Sequence, residues 1–281
     1  MKLSEAVAFV RQTKPAWSEG KGKQTAYINS NHVLTVLGGD TLMEDITAMD
    51  YVRIQQHFKA EGKTNGTINR ITSALSTVFS ELLKHQLIDK VVRCPNKLSE
   101  PKGRLVVYTV EETQALLKAA LALRCDEAQL IHDIIFAALK TGARQGELLK
   151  LTWEDVDFDL NEVCFVDTKR GDDRVIPMSP SLREMLARLH DERIDDAEVF
   201  PISKDVLIRR FRRVLKSAGI TDKRKCFHTL RHFVATELFQ RGAPLTDVQA
   251  VLGHSQVNTT MRYSHSTKEG KQKAILTIDQ L

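Results

Sequence analysis

Residues 163–178 read VCFVDTKRGDDRVIPM, and this stretch decides the fold class of the chain. Val163–Val166 and Arg174–Met178 are short runs rich in apolar and β-branched residues, and the polar KRGDD segment between them is typical of a hairpin turn. The remaining sequence shows helical rather than alternating periodicity. We therefore expect a mainly α-helical protein of the α+β class with one small antiparallel β-sheet.

Helical patterns lie on both sides of this hairpin. Thr109 and Glu112 have the spacing of a capping box, which predicts the start of one helix. An apolar run over residues 128–139 predicts a second helix that ends at Gly142, and helices resume near Pro180. The hairpin therefore belongs to a mostly helical domain.

The N-terminal hundred residues show a separate helical pattern. Apolar residues recur at spacings of three and four over residues 68–83, and an earlier segment from about Met43 to Ala60 repeats the pattern. The segment RCPNKLSEPKGR, residues 93–104, contains two prolines and is rich in basic residues, as interdomain linkers often are. The predicted boundaries are 1–95 for a helical domain, 96–107 for a basic linker and 108–281 for the second domain.

The composition indicates an ordinary globular protein of two domains. The chain has 281 residues, of which 42% are hydrophobic and 27% charged, and this composition excludes the disordered, collagen-like and mini-protein classes. No apolar run approaches the ~18 residues that span a membrane, and no signal peptide is recognisable, so we expect a cytosolic protein without membrane partners. The four cysteines lie far apart without a CxxC pair, and we expect them to be reduced and structural.

Positive charge is concentrated in one segment. Residues 204–232 carry ten Lys or Arg against two acidic residues, in a chain whose net charge is only +5. This segment is either a phosphate-facing surface or a solvated helix face, and charge alone leaves both interpretations open. The side chains predicted to contact a polyanion are Arg209, Arg210, Arg212, Arg213, Lys223, Arg224 and Lys225.

Four separated motifs of the second half carry chemically versatile side chains. They are TGARQGELLKLTW (141–153), TKRGDDRVIP (168–177), HTLRH (228–232) and LGHSQVNTTMRYSH (252–265). Each has an ordinary interpretation on its own: Arg144 forms an ion pair within its helix, Lys169 is a solvated turn residue, and His254 after Leu252-Gly253 is a capping or core histidine.

Taken together and in this order, the motifs resemble those of the tyrosine recombinase family, the phage-integrase type. The resemblance covers the second domain, and the first domain is similar to the family's core DNA-binding domain by architecture alone. It implies that Tyr263 attacks a DNA phosphodiester and forms a 3′-phosphotyrosine, that His228 assists by taking its proton, and that Lys169 protonates the leaving 5′-oxygen. The remaining members of the implied set contact the phosphate: Arg144, Arg231 and His254.

The residue types suit this chemistry. A phosphoryl transfer needs a nucleophile, neutralisation of the non-bridging oxygens and a proton for the leaving oxygen. Arg144 and Arg231 each offer a planar fork of donors that lysine lacks. Glu147 is a candidate partner that holds Arg144, or a plain surface acid. Gly146, inside the same predicted helix, suggests close packing there.

Three alternatives remain open at the level of sequence. A type IB topoisomerase uses a similar catalytic set but acts as one subunit. The second alternative is a DNA-binding protein that keeps the fold and has lost activity. The complete set of six candidate catalytic side chains argues against it, because binding alone requires charge but not a tyrosine and a hairpin lysine. A metal site built from His228, His232, His254 and His265 lacks the usual ligand spacings, so no metal is expected.

The resemblance also implies partners and conditions. We expect double-stranded DNA recombination sites as the substrate, a homotetramer on synapsed DNA that is a monomer or weak oligomer when free, and DNA-bending accessory proteins. Cofactors are not expected, because rejoining reverses the cleavage step. The apolar tail KQKAILTIDQL, residues 271–281, suits docking on a neighbouring protomer or on its own domain. Integration or excision of a phage or mobile element is the favoured biological role.

Overall fold

The computed structural model describes residues 1–100, 105–166, 173–192, 197–253 and 257–261. The chain divides into two compact units, Met1–Gly103 and Arg104–Leu281. Each unit has its own hydrophobic core. No helix among the described residues combines the length and apolar character needed to cross a membrane.

The N-terminal unit is helical, as the sequence predicts. The helix Asn65–Lys84 shows why: its apolar residues at spacings of three and four, such as Ile68, Ile71 and Leu75, are buried. The helix begins after Thr64, whose side chain accepts a hydrogen bond from the backbone N–H of Thr67. The helices within residues 1–100 are α1 (Leu3–Thr13), α2 (Pro15–Ser18), α3 (Lys23–Leu37), α4 (Ala48–Ala60) and α5 (Asn65–Lys84).

The helix expected over Met43–Ala60 is shorter than predicted. It begins at Ala48, because Thr47 takes an extended conformation and its backbone N–H donates to Asp50 Oδ2 at 2.9 Å. This capping box sets the N-terminus of α4. Met43 is buried in the core ahead of the helix rather than within it.

The segment that follows α5 packs against the N-terminal unit up to residue 100. The amide of Gln55 donates to the carbonyl of Asn96 at 2.8 Å, and the Leu98 N–H donates to Asn69 Oδ1 at 2.9 Å. This part of the predicted linker 96–107 is therefore held by α4 and α5. On the far side of residues 101–104, which lie outside the described ranges, Tyr108 is buried in the C-terminal unit.

The C-terminal unit is mainly helical with one small sheet, which confirms the predicted fold class. The predicted capping box is present: Thr109 Oγ1 accepts from the N–H of Glu112, and Glu112 Oε2 accepts from the N–H of Thr109. Its helices are α6 (Val110–Leu121), α7 (Ala128–Thr141), α8 (Gln145–Leu148), α9 (Pro180–Glu192), α10 (Lys204–Ser217), α11 (Phe227–Gln240), α12 (Leu245–Leu252) and α13 (Val257–Met261).

The sheet contains the predicted hairpin strands and one further strand. Its antiparallel order is β1 (Val156–Asp157), β2 (Glu162–Phe165) and β3 (Arg174–Pro177). Phe165 is the register partner of Arg174, and both are buried. Residues 167–172, which include Lys169, lie outside the described residues.

Two glycines near Arg144 differ in how tightly they are packed. Gly146 was expected to mark close packing, and this prediction is wrong as far as the described residues go: a Cβ at this position would meet none of their atoms within 4 Å. Gly142 is the tightly packed position. It ends α7 with a φ of 64°, and a Cβ there would lie 2.8 Å from Leu252 Cδ2 and 3.2 Å from Val234 Cγ1.

This contrast yields a stability prediction for Gly142→Ala and Gly146→Ala. We expect Gly142→Ala to lower the free energy of unfolding of the C-terminal unit by about 2 kcal/mol or more, because the left-handed backbone and the crowded Cβ both oppose it. Gly146→Ala should change it by less than about 1 kcal/mol. Urea unfolding in a Trp17→Phe background, where Trp153 alone reports on this unit, measures both values. Equal losses for the two variants would contradict this assignment.

Candidate active site

Three of the six predicted catalytic residues lie within the described part of the chain. They are Arg144, His228 and Arg231, and the structure brings them to the same region of the C-terminal unit. Lys169, His254 and Tyr263 lie outside the described residues. The site is therefore built here from the two arginines, the histidine and the groups that hold them.

Arg144 lies in the short turn between α7 and α8, where Gly142 reverses the chain. Its N–H donates to Glu147 Oε2 at 2.7 Å, and its Nη1 lies 2.5 Å from Glu147 Oε1, so the predicted ion pair is present. Its Nη2 donates to the carbonyl of Gly253 at 3.1 Å. The side chain remains 38% exposed, which leaves part of the guanidinium facing solvent.

Arg231 is a buried cation in the middle of α11, with a relative exposure of 2%. Its Nη1 donates to the carbonyl of Gly142 at 2.9 Å, and its Nη2 donates to the carbonyl of Leu252. These carbonyls end α7 and α12, where helix dipoles are negative and favour a cation. The backbone therefore compensates for the burial of this charge.

The ends of α7 and α12 meet at the site. The side chain of Leu252 packs against Gly142, and the carbonyls of Leu252 and Gly253 bind Arg231 and Arg144 respectively. Gly253 is the C-cap of α12, with a φ of 61°. Both arginines are thus positioned by the same turn.

His228 lies one helical turn before Arg231; the residue is open to solvent on one side, while neighbouring groups cover part of its ring. Loss of water around the ring lowers its pKa below the ordinary value, and the charges of Arg231 and Arg144 lower it further, although Glu147 acts in the opposite direction. The imidazole is therefore neutral over a wider pH range than usual. A neutral imidazole can accept a proton.

Glu147 joins Arg144 to a residue that the sequence reasoning missed. Arg174, the first residue of β3, donates from Nη2 to Glu147 Oε2 at 3.0 Å and from Nη1 to the carbonyl of Leu252 at 3.1 Å. A signal was present in the sequence, because Arg174 shares the inward face of its strand with Ile176. A charged residue at an inward position demands a partner.

The predicted polyanion-binding side chains divide into two groups. On α10, the exposed arginines lie on the face opposite Leu207, Phe211 and Val214, whose side chains are buried. Arg210 instead donates to Glu127 Oε2 at 2.8 Å, and Lys225 lies 2.5 Å from Glu112 Oε1. The members with exposed side chains are Arg209, Arg212, Arg213, Lys223 and Arg224, of which Arg224 pairs with Asp222 at 2.7 Å.

Comparisons with known proteins identify the family. The phage integrase family profile matches residues 107–270. The integrase of Escherichia phage P2 is 29% identical over 98% of this chain and 85% of its own length. The transposon Tn1549 integrase in complex with circular intermediate DNA has a TM-score of 0.78, with 20% identity, and the match covers 98% of this chain and 99% of that one. A lambda integrase tetramer bound to a Holliday junction has a TM-score of 0.74 and 20% identity, covering 93% and 75%.

The chain belongs to the phage integrase family. It is accordingly a tyrosine recombinase, an enzyme that breaks and rejoins DNA strands in site-specific recombination. The resemblance drawn from the sequence motifs is confirmed. The topoisomerase and silent-binding alternatives are not favoured by these matches.

The electrostatics of His228 can be tested by two opposite substitutions. Arg144→Met removes a positive charge, so we expect the pKa of His228 to rise toward its ordinary value of about 6.5. Glu147→Gln removes a negative charge and should lower that pKa further. NMR titration of the His228 ring, assigned with His228→Gln, measures both shifts. A shift in the same direction for the two variants would sink this account.

Proposed function

We propose that this enzyme integrates or excises a phage or mobile DNA element, with Tyr263 as nucleophile and Arg144 and Arg231 as the phosphate clamp. The observation that carries this proposal is that carbonyls of one turn hold both Arg144 and Arg231, close to His228, whose pKa is lowered. Two arginines suit a phosphodiester, whose single negative charge is shared by two non-bridging oxygens. The arrangement needs a nucleophile and an acid to become a cleavage site, and the sequence supplies both.

The two arginines act on the non-bridging oxygens of the scissile phosphate. Each guanidinium donates to carbonyl or carboxylate oxygens of the protein, and these bonds hold its plane in place. Such preorganised donors stabilise the charge that shifts in the transition state without reorganising during the reaction. Their rigid fork also fixes the orientation of the phosphate.

The covalent step is balanced by two proton transfers. Tyr263 Oη forms a bond to phosphorus while its proton passes to His228, and the phosphorus bond to the 5′-oxygen breaks. Lys169 donates a proton to that oxygen, which leaves as a 5′-hydroxyl, and His254 donates a hydrogen bond to the phosphate. Another 5′-hydroxyl reverses the step, so we propose that no cofactor is used.

The exposed cations of α10 and the turn after it are proposed to bind the DNA backbone. Arg209, Arg212 and Arg213 project away from the buried face of α10, and Lys223 is exposed nearby in sequence. Phosphate contacts of this kind supply affinity and register without reading the sequence. Arg210 and Lys225 are removed from this proposed set, because acidic side chains hold them.

The N-terminal unit is proposed to be a core DNA-binding domain. A groove of about 580 Å³ lies beside α3 and α5, and its lining includes hydroxyl and amide side chains, Trp17, the cations Arg70 and Lys97 and the acid Glu100. Small polar side chains and cations are the groups that contact phosphates and base edges. This groove supports a role for the unit in DNA binding.

Assembly and location are proposed on the basis of these relatives. The lambda integrase structure is a tetramer on a Holliday junction, and we propose that this chain also forms a homotetramer on two synapsed double-stranded sites. Strand exchange requires four cleavages, which four protomers provide. We place the enzyme in the bacterial or phage-infected cytosol with the nucleoid, where its DNA lies, and DNA-bending accessory proteins remain part of the proposal.

The nucleophile is tested with a nicked suicide duplex that carries the recombination site. We expect the parent chain to form an adduct on a denaturing gel, with the DNA attached to Tyr263 and a free 5′-hydroxyl on the partner strand. Tyr263→Phe should abolish the adduct and leave DNA affinity nearly unchanged, because only the attacking oxygen is removed. An adduct formed by Tyr263→Phe would assign the nucleophile elsewhere.

The DNA-binding surface is tested by a matched pair of substitutions on α10. Arg213→Gln should weaken binding uniformly across DNA sequences and reduce the slope of log K against log salt by about 1. Arg210→Gln is the control, because Glu127 already holds Arg210, and we expect little change in that slope. Fluorescence anisotropy at several salt concentrations measures both. A larger effect of Arg210→Gln would place the DNA on the other side of the helix.

A further inference from the structure

Arg174 carries a buried charge next to the proposed phosphate clamp. Burial alternates along β3, with Arg174 and Ile176 on the inner face and Val175 and Pro177 exposed, so strand geometry directs the guanidinium into the protein. The side chain is 8% exposed. Burial of a cation is strongly unfavourable unless its donors are paired.

The partners of Arg174 lie on three different elements. Its Nη2 donates to Glu147 Oε2 at 3.0 Å on α8, and its Nη1 donates to the carbonyl of Leu252 at 3.1 Å at the end of α12. Its Cζ lies 4.8 Å from the centre of the Phe165 ring on β2. A Cβ on Gly253 would lie only 3.0 Å from Nη1, so the chain passes directly over this side chain.

Each acceptor used by Arg174 also serves one of the two clamp arginines. Glu147 Oε1 lies 2.5 Å from Arg144 Nη1, and the carbonyl of Leu252 accepts a hydrogen bond from Arg231. Arg174 is therefore hydrogen-bonded to the immediate partner of both. This link joins Arg144 and Arg231 through shared acceptors.

We propose that Arg174 is a positioning residue that holds Arg144 and Arg231 in the geometry and charge state needed to clamp the scissile phosphate. This inference rests on the proposed function of the two clamp arginines. Arg174 itself is buried, and its Nη1 and Nη2 groups donate to acceptors of the protein, the Leu252 carbonyl and Glu147.

The first physical reason is the charge balance around Glu147. With Arg174 present, one carboxylate is shared by two guanidinium groups, and the trio keeps a net charge of +1. Burial acts to raise the pKa of Glu147, but the charge of Arg174 and the hydrogen bonds from Arg144 outweigh it and keep the pKa below the ordinary value. Without Arg174, Arg144 and Glu147 would form a closed, neutral pair with less attraction for a phosphate.

The second reason is geometric. A guanidinium has a planar fork of donors, so Arg174 can bond a carboxylate of α8 and a carbonyl of α12 at the same time. A lysine would keep the charge but would lose the fork and the flat contact with the ring of Phe165. The end of α12 would then be held against α8 less firmly, and the Leu252 carbonyl would be a looser anchor for Arg231.

A merely structural role is the competing explanation, and the same unit offers a matched control. Arg188 of α9 donates at 2.6 Å to Asp133 Oδ2, and the Asp133 side chain is only 1% exposed. This pair likewise joins an arginine to a buried carboxylate. Among the described residues, the other partners of this pair are Gln129, His132 and Glu192, and none of them belongs to the clamp. Arg188→Met therefore removes a comparable ion pair away from the clamp.

The test compares two suicide substrates that differ only at the scissile position. One carries the ordinary phosphodiester, and the other a methylphosphonate, in which a neutral methyl group replaces one charged oxygen. We compare the parent chain with three variants: Arg174→Met, Arg174→Lys and Arg188→Met. For each protein, the measured quantities are the rate constant for adduct formation at saturating DNA, the DNA affinity and the melting temperature. A charge clamp matters less for the methylphosphonate, whereas a folding defect affects both substrates equally.

We expect Arg174→Met to slow cleavage of the phosphodiester by about 10- to 100-fold, with DNA affinity changed far less. The loss on the methylphosphonate should be at most about 3-fold, because less charge remains to be stabilised. Arg174→Lys should show a smaller loss with the same preference, and Arg188→Met should show no preference between substrates.

Equal losses on the two substrates, or no loss on the phosphodiester, would overturn the proposal. If Arg174→Met does not fold, Arg174→Lys decides between these outcomes. Failure of the proposed function itself is recognised separately, because the parent chain would then form no adduct at Tyr263 with the phosphodiester.

Discussion

The structure around the site depends on one constraint, which is the compensation of the buried charge of Arg231. The buried guanidinium, with 2% exposure, lies where two helices end and present their last carbonyls to it. The close approach of α7 and α12 in turn requires Gly142, where a side chain would collide with Leu252. Packing, backbone conformation and electrostatics at this point are therefore a single arrangement.

The other groups of the site follow from this arrangement. The turn after Gly142 places Arg144 at the start of α8, where Glu147 reaches back to both its backbone and its side chain. The turn after Leu252 offers the Gly253 carbonyl to the same arginine. Loss of water around the His228 ring lowers its pKa, and the nearby charges of Arg231 and Arg144 lower it further. The cations proposed to bind the phosphate therefore also favour the neutral form of this imidazole.

The sequence predicted the elements more reliably than their contacts. Apolar spacing located α5 and α7, and the capping box at Thr109 located α6, because these signals are local. The ion pair of Arg144 with Glu147 was also a local signal. The partners of Arg231 were not predictable, because backbone carbonyls 21 and 89 residues away leave no mark in composition. Arg210 illustrates the same limit: its charge suggested DNA, but Glu127, 83 residues away, holds it.

The two clamp arginines differ in how they are held, and this difference has a mechanistic consequence. Arg231 is buried in the core and bonded to two helix ends, so its position is set by the fold before any DNA binds. Arg144 is 38% exposed and shares Glu147 with Arg174, so it can adjust as a phosphate approaches and exchange solvent contacts for substrate contacts. A rigid donor beside an adjustable one suits a reversible reaction, because the site must hold the phosphate firmly in cleavage and still accept a different 5′-hydroxyl in rejoining.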